Sequence, residues 1–289
     1  MFCREITSKL AKIFNFKYIE KLAFVSVVSV SILLISFLFF SPLALADDTF
    51  GCFDANVCGE KSLSSSTKYI INRDYDISIS RRGSDVTILS FHGGCIEPYT
   101  SEISQGLAEQ YEWNRYDLKG HIKGTSIPDC YKEEKQQKKN FRILHITSTN
   151  FDDPEAISLV EKHPMSVSIH GYSKERDTKP GYMRGTICVG GGNKAQVKKF
   201  REYINKSRLA LPYPLIPVNA RGKDKEEDVC NKLQGTKLKN IVNKNGSGKG
   251  GLQLELSSGM RQDLANLDDV KFNSLRDVVY RAVAQAMAD

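Results

Sequence analysis

From Asp85 onward the chain alternates short apolar bursts with longer stretches in which apolar positions return every three or four residues. The bursts read as buried strands, and the stretches of helical period read as helices with one face turned to a core. Asp85–Gly94 (DVTILSFHGG) predicts a strand running into glycines, and TSEISQGLAEQYE an amphipathic helix beginning around Ser101. Phe141–Ser148 (FRILHITS) predicts a further strand. DDPEAISLVEKH predicts a helix, with proline in its first turn and acids at its start, where a helix N-terminus favours both. MSVSIHGY and GYMRGTICVGG follow as strands, NKAQVKKFREYINKSR as a helix opened by Asn193, and GGLQLELSS as another strand. NSLRDVVYRAVAQAMA closes the chain as an amphipathic helix. This alternation predicts an α/β domain, a mixed and mostly parallel sheet flanked by helices on both faces. Lys239–Gly251 is the most loop-like stretch of the later half, and no internal repeat is present.

The first 46 residues break the pattern. Met1 to Lys21 carries five Lys/Arg against Glu5 and Glu20, Leu22 to Leu45 has no charge, and Ala44-Leu45-Ala46 precedes Asp47-Asp48. A basic region, an apolar region and a small-x-small site in that order read as a secretory signal peptide, residues 1–46, cleaved after Ala46. The product is then secreted or periplasmic. The apolar run is also long enough to span a bilayer, so an uncleaved leader would be a membrane anchor, the only membrane association expected. Residues 47–80 follow as an N-terminal entry segment, polar and Ser-rich from Asp47 to Lys68, and 81–289 as one domain. Without the leader the net charge falls from +7 to +4, because the leader holds five cations and two anions. A surface this mildly basic accepts an anionic substrate but lacks a nucleic-acid footprint, and no nucleic-acid partner is expected. A monomer is expected.

Removing Cys3 with the leader leaves six cysteines. In an exported chain these point to disulfides, with 15 possible connectivities; Cys52 and Cys58 form a plausible local pair. No CxxC spacing is present, which argues against a structural zinc-thiolate site.

Open α/β sheets bind ligands at the carboxyl ends of strands. His92 and Glu97 follow one strand, His170 ends a second, and Glu255 sits near the end of a third, alternating with Leu254 and Leu256 and so facing away from them. Two imidazoles and a carboxylate are a catalytic rather than a structural zinc set, leaving one position open. Gly93 and Gly94 allow the turn between His92 and Glu97. Cys95 as a nucleophile is disfavoured in an oxidising compartment, no Gly-x-x-x-x-Gly-Lys-Ser/Thr phosphate loop follows the strand, and Ser101 and Ser104 lack a G-x-S-x-G elbow. GGGNKAQV (Gly190–Val197) reads as a capped helix start. His121 and His163 read as surface residues, while His145 stands between a core histidine and a fourth site residue.

Four blocks in one order, SFHGGCIEPYTSEIS, LHITSTNFDDPEAISLV, SVSIHGY and NIVNKNGSGKGGLQLELSSGMR, resemble the phage-type poly-γ-glutamate hydrolases, zinc peptidases with a carboxypeptidase-like α/β core. The blocks span roughly residues 85 to 285, and the resemblance makes 81–289 a zinc hydrolase domain. The resemblance implies one zinc per chain held by His92, Glu97 and His170, and Glu255 as general base or acid. Arg261 and Arg184 are the candidates for holding a substrate carboxylate, since a guanidinium suits that group. The resemblance also implies cleavage of γ-glutamyl amide bonds in an anionic polymer or peptide, with poly-γ-glutamate the expected substrate. Peptidoglycan stem peptides are the alternative, and an inactive binding relative of the same fold is another. Cys95 stands where a glycine or small residue is commoner in the family, and Gly120–Asn140, with Cys130 and KEEKQQKK, looks like a solvated insertion.

Overall fold

Val86–Gly94 is buried at all nine positions, as a strand covered on both faces must be. It is β2 of a mixed sheet formed with β1 (Tyr75–Ser80), β3 (Asn114–Gly120), β4 (Met165–Gly171), β5 (Thr186–Gly190), β6 (Ile216–Asn219) and β7 (Leu252–Leu256), in the order β1-β3-β2-β4-β7-β5-β6. β3, β2, β4 and β7 run parallel; β1 is antiparallel to β3 at one edge, and β5 antiparallel to β7 toward the other. The computed structural model describes residues 74–122, 126–172, 185–207, 216–219, 230, 233–268 and 270–288. All belong to the second of two compact units, Thr49–Asp289. The leader, and Cys52 and Cys58, lie outside the described residues. Among those described, no helix is long and apolar enough to cross a membrane.

The helices are α1 (Thr100–Gln110), α2 (Ile127–Lys132), α3 (Glu134–Leu144), α4 (Pro154–Glu161), α5 (Lys194–Ser207), α6 (Ser258–Ala265) and α7 (Asn273–Met287). Alternate residues of the strands feed two cores. Ile88, Ile169, Leu254 and Leu256 pack with α1, α5, α6 and α7 on one face. Leu89, Phe91, Tyr116 and Leu118 pack with α3 and α4 on the other. Helices on both faces and the α/β class agree with the sequence expectation. The caps do too: Asp153 Oδ1 accepts from Ala156 N–H at 2.9 Å, and Asn193 Oδ1 from the N–H groups of Ala195 and Gln196, each at 3.2 Å.

Two expectations need correcting. Phe141–Ser148 is not a strand; its first four residues finish α3, which begins back in the Lys-rich run. Strong helix formers and a Glu134–Lys138 pair one turn apart carry the helix, and Asn140 and Leu144, also one turn apart, supply its buried side. The Lys-rich run of Gly120–Asn140 is exposed to solvent, as expected, but it is built into helices rather than left as a loop. It is tied down by a Cys95–Cys130 disulfide, with Cα atoms 5.7 Å apart. Finally, β1 falls inside the stretch assigned to an N-terminal segment and pairs along its whole length with β3. A second disulfide joins Cys188 of β5 to Cys230.

The chain leaves β2 through α1 to reach β3 on one side, whereas beyond β4 it proceeds to the half of the sheet holding β5 and β6. The carboxyl ends of the neighbours β2 and β4 thus form a topological switch point, where an open sheet leaves a crevice.

Candidate metal centre

A bulge shapes the end of β2. Its register with β3 shifts between Ser90 and Gly93, so the strict alternation that would send His92 to the side opposite Phe91 is broken. The two rings end up edge to face, with centroids 4.7 Å apart. Gly94 then adopts φ 62° at the turn, and a Cβ on Gly93 would lie 2.0 Å from Ser101 Oγ. Both positions of this turn require glycine. The turn returns Glu97 to the strand end, its N–H donating to the His92 carbonyl at 2.8 Å.

His92, Glu97, His170 and Glu255 are buried, at 2%, 5%, 2% and 7% exposure. His92 Nε2 lies 2.7 Å from the Ile146 carbonyl oxygen. A carbonyl only accepts, so that nitrogen carries the proton and Nδ1 faces inward. Nδ1 sits 3.0 Å from Glu97 Oε1 and 3.1 Å from His170 Nδ1, and His170 Nδ1 is 3.6 Å from Glu97 Oε2. The Gly171 N–H fixes the carboxylate from the far side, donating to Oε2 at 2.7 Å. His145, at the C-terminus of α3, brings Nε2 to 3.8 Å from Glu97 Oε1 and its ring to 4.1 Å from that of His92. His92, Glu97 and His145 form a group whose ligating atoms all lie within 4.8 Å of one another.

The electrostatics suit a cation. Burial opposes ionisation of Glu97, but the charge on His92 and hydrogen bonds from His170 and His92 outweigh it and hold the carboxyl well below the usual carboxylate range. Burial, reinforced by the charge on His92, pushes His145 well below an ordinary imidazole. Burial also lowers His170, with Glu97 offsetting part of the effect. An ionised carboxylate beside imidazoles that burial keeps neutral, as it does at His145 and His170, is the protonation state that metal binding requires. His92 Nδ1 and Glu97 Oε1 stand 3.0 Å apart, a separation that either a proton on the nitrogen or a metal ion between them bridges. Tetrahedral zinc with bonds of about 2.0–2.2 Å spaces neighbouring ligand atoms about 3.3 Å apart, and the separations of 3.0, 3.1 and 3.6 Å bracket that value. The residues fit zinc.

Glu255 pairs in register with His170 across the parallel β4–β7 ladder, which places both on one side of the sheet. Leu254 and Leu256 turn into the opposite core, as their alternation with Glu255 predicts. Gln253 Nε2 donates to Glu255 Oε1 at 2.8 Å, and Asn240 Nδ2 donates to Gln253 Oε1 at 2.7 Å. This amide chain escaped the sequence reading, although Gln253 stands two positions before Glu255 and must share its face. Arg261 is buried, its Nε donating to the Pro98 carbonyl at 2.8 Å and its Nη1 to the carbonyls of Leu256 and Tyr172 at 2.8 and 3.2 Å. Arg184 lies outside the described residues. Cys95, the residue nearest the turn that could have been a nucleophile, is half of a disulfide.

Comparisons with known proteins point one way. A family model described as poly-gamma-glutamate hydrolase matches residues 61–286. Among curated relatives, the SPbeta prophage-derived UPF0714 protein YoqZ of Bacillus subtilis (strain 168) is 31% identical over 231 residues, covering 80% of this chain. The match spans 66% of YoqZ, just under two thirds of its length. UPF0714 protein YndL of the same organism is 26% identical over 250 residues, 86% of this chain and 80% of the relative. Among solved structures, a bacteriophage poly-gamma-glutamate hydrolase superposes with a TM-score of 0.58 at 22% identity, covering 78% of this chain and 97% of that one, a likeness of fold. A zinc-free apo form of YndL gives a TM-score of 0.54 at 25% identity, over 74% of this chain and 92% of that one.

Proposed function

The chain belongs to the poly-gamma-glutamate hydrolase family, and from that premise we propose that it is an exported, zinc-dependent hydrolase of γ-glutamyl amide bonds with poly-γ-glutamate as its substrate. The observation that carries the reading is the convergence of His92 Nδ1, His170 Nδ1 and the ionised Glu97 carboxylate at the switch point of the sheet. His92, Glu97 and His170 would hold the metal, which when bound supplies a Lewis acid and an acidified water for attack on an amide carbonyl. Glu255 would hold the proton taken from the attacking water and pass it to the leaving amine. The bulge, the two glycines and the Gly171 N–H keep the ligand atoms in place before any substrate arrives. The Cys95–Cys130 and Cys188–Cys230 disulfides support export, since such bonds persist in oxidising compartments.

The test is direct. Purified protein, with and without chelator, is assayed on poly-γ-glutamate and on peptidoglycan. Chelator-sensitive release of γ-glutamyl products from poly-γ-glutamate is expected. Turnover that survives full metal removal would end the zinc mechanism, and cleavage of peptidoglycan alone would reassign the substrate. A second ligand set, with His145 in place of His170, is favoured by the tight grouping of His92, Glu97 and His145. Zinc content decides between them: His170→Ala is expected to lose the metal and His145→Ala to keep it, and the reverse result would exchange their roles.

A further inference from the structure

Three chain segments bring the site together: the turn after β2 that carries Glu97, the end of β4 that carries His170, and the end of β7 that carries Glu255. Each is followed within two residues by a backbone carbonyl that accepts from one side chain. Pro98, Tyr172 and Leu256 all accept from Arg261, the first through Nε and the other two through Nη1. Arg261 itself rides on α6, the helix that β7 runs into. Its cation is 5% exposed, and it runs so close beneath β4 that a Cβ on Gly171 would stand 1.8 Å from Nη1. The Gly171 N–H is the group that donates to Glu97 Oε2. The guanidinium and the ligand-fixing amide therefore meet at a single glycine.

We propose that Arg261 is a positioning residue, a guanidinium clamp that holds the three site-bearing segments in register so that Glu97, His170 and Glu255 meet. A planar fork with several fixed donors can bridge three carbonyls from different segments at once; a lysine ammonium on a flexible stem holds no such fixed geometry. The clamp sets how closely Glu97 and His170 approach, and hence how tightly the centre grips a metal ion. The consequence for metal rests on the zinc reading above, whereas the mechanical role does not.

The experiment uses full-length protein in three forms: wild type, Arg261→Lys, and Gly171→Ala, which keeps the guanidinium but denies it its channel. In metal-free protein, hydrogen exchange at the Gly171 and Glu97 amides is expected to quicken at least ~10-fold in both variants, as loss of a local brace releases a local opening, while Ile88 and Leu254 exchange as in wild type. Zinc affinity by competition with a chelator is expected to fall about 10-fold, the usual scale for residues that orient ligands, and the visible spectrum of the cobalt(II)-loaded variants to change. Should either variant fail to fold, the wild-type Arg261 Nε–H resonance decides: slow exchange and no response to added glutarate support the clamp. Unchanged Gly171 exchange and metal affinity with a raised KM alone, or an Nε–H that shifts on adding glutarate, would overturn it and make Arg261 a substrate contact. A wild-type protein that binds no zinc would instead sink the zinc reading and leave the exchange measurements to judge the clamp.

Discussion

Ser90 and His92 are two residues apart on β2, yet they feed two buried polar clusters of opposite character. Ser90 points toward α1. There Asp117, fully buried, accepts from Ser90 Oγ at 2.7 Å and Ser101 Oγ at 2.8 Å and forms a close ion pair with Arg115, whose Nε donates to Ser104 at 3.2 Å. Every charge in that cluster has a partner of opposite sign or a donor aimed at it. His92, re-aimed by the bulge, points to the other side of the sheet. There two ring nitrogens and a carboxylate converge instead, His92 Nδ1, His170 Nδ1 and Glu97 within 3.0–3.6 Å, and the other nitrogen of His170 has no hydrogen-bond partner. A satisfied network is a structural device, whereas a buried network left partly unsatisfied calls for another explanation. Two buried clusters flank one strand, and the accounting of donors against acceptors separates support from chemistry.

The strongest way to break that contrast is at Glu97. Glu97→Gln keeps the size of the side chain but removes the charge that the imidazoles surround, and is expected to abolish both zinc binding and turnover on poly-γ-glutamate. Metal analysis and product release check it; a variant that still binds one zinc per chain would remove Glu97 from the ligand set. Next comes Glu255→Gln, which leaves all proposed ligands intact. It is expected to bind zinc as wild type while kcat falls about 10²- to 10⁴-fold, the range for loss of a general acid–base group. Loss of metal in this variant would make Glu255 a ligand rather than a base.

The other cluster predicts the opposite signature. Asp117→Ala leaves Arg115 buried without its carboxylate, a change that costs about 3–5 kcal/mol in stability. Chemical denaturation should show that loss, while the soluble fraction keeps its zinc and its kcat. A variant of normal stability and reduced turnover would move Asp117 across the divide, from support to chemistry.

Much of this division is legible in the sequence, and the reasons are local. Val86–Phe91 is apolar enough to announce an interior strand, the glycine pair after His92 announces a turn, and alternation alone assigns Glu255 to the face away from Leu254 and Leu256. The proposed residues sit at strand ends for that reason. What escaped depends on contacts between distant segments. FRILHITS has the composition of a strand, and only the helical run before it, packed through Asn140 and Leu144, turns it into the end of α3 and delivers His145 to the site. β3, NRYDLKG, has too many charges to read as a buried strand, because the partners that neutralise Asp117 come from β2, α1 and β3 itself. Arg261 reads in sequence as a candidate carboxylate binder, because a guanidinium suits that group. Three carbonyls from three segments are invisible to any reading of its neighbours in sequence.

The smallest expected effect tests how far support extends into the chemistry. Asn240 Oδ1 caps the Val242 N–H at 3.2 Å, which orients its amide so that Nδ2 faces Gln253 Oε1; Gln253 must then turn its Nε2 donor toward Glu255. Gln253→Leu removes that donor and preserves the shape of the strand face. Losing one hydrogen bond to a charged group, worth about 1.5–3 kcal/mol, predicts a kcat lower by about 10- to 150-fold at most, with zinc affinity and KM unchanged. Asn240→Leu should reproduce part of that loss, because Gln253 is then free to turn its amide over. A change in KM alone would place Gln253 against the substrate, and no change in either would leave the orientation of Glu255 to its other neighbours on the strand.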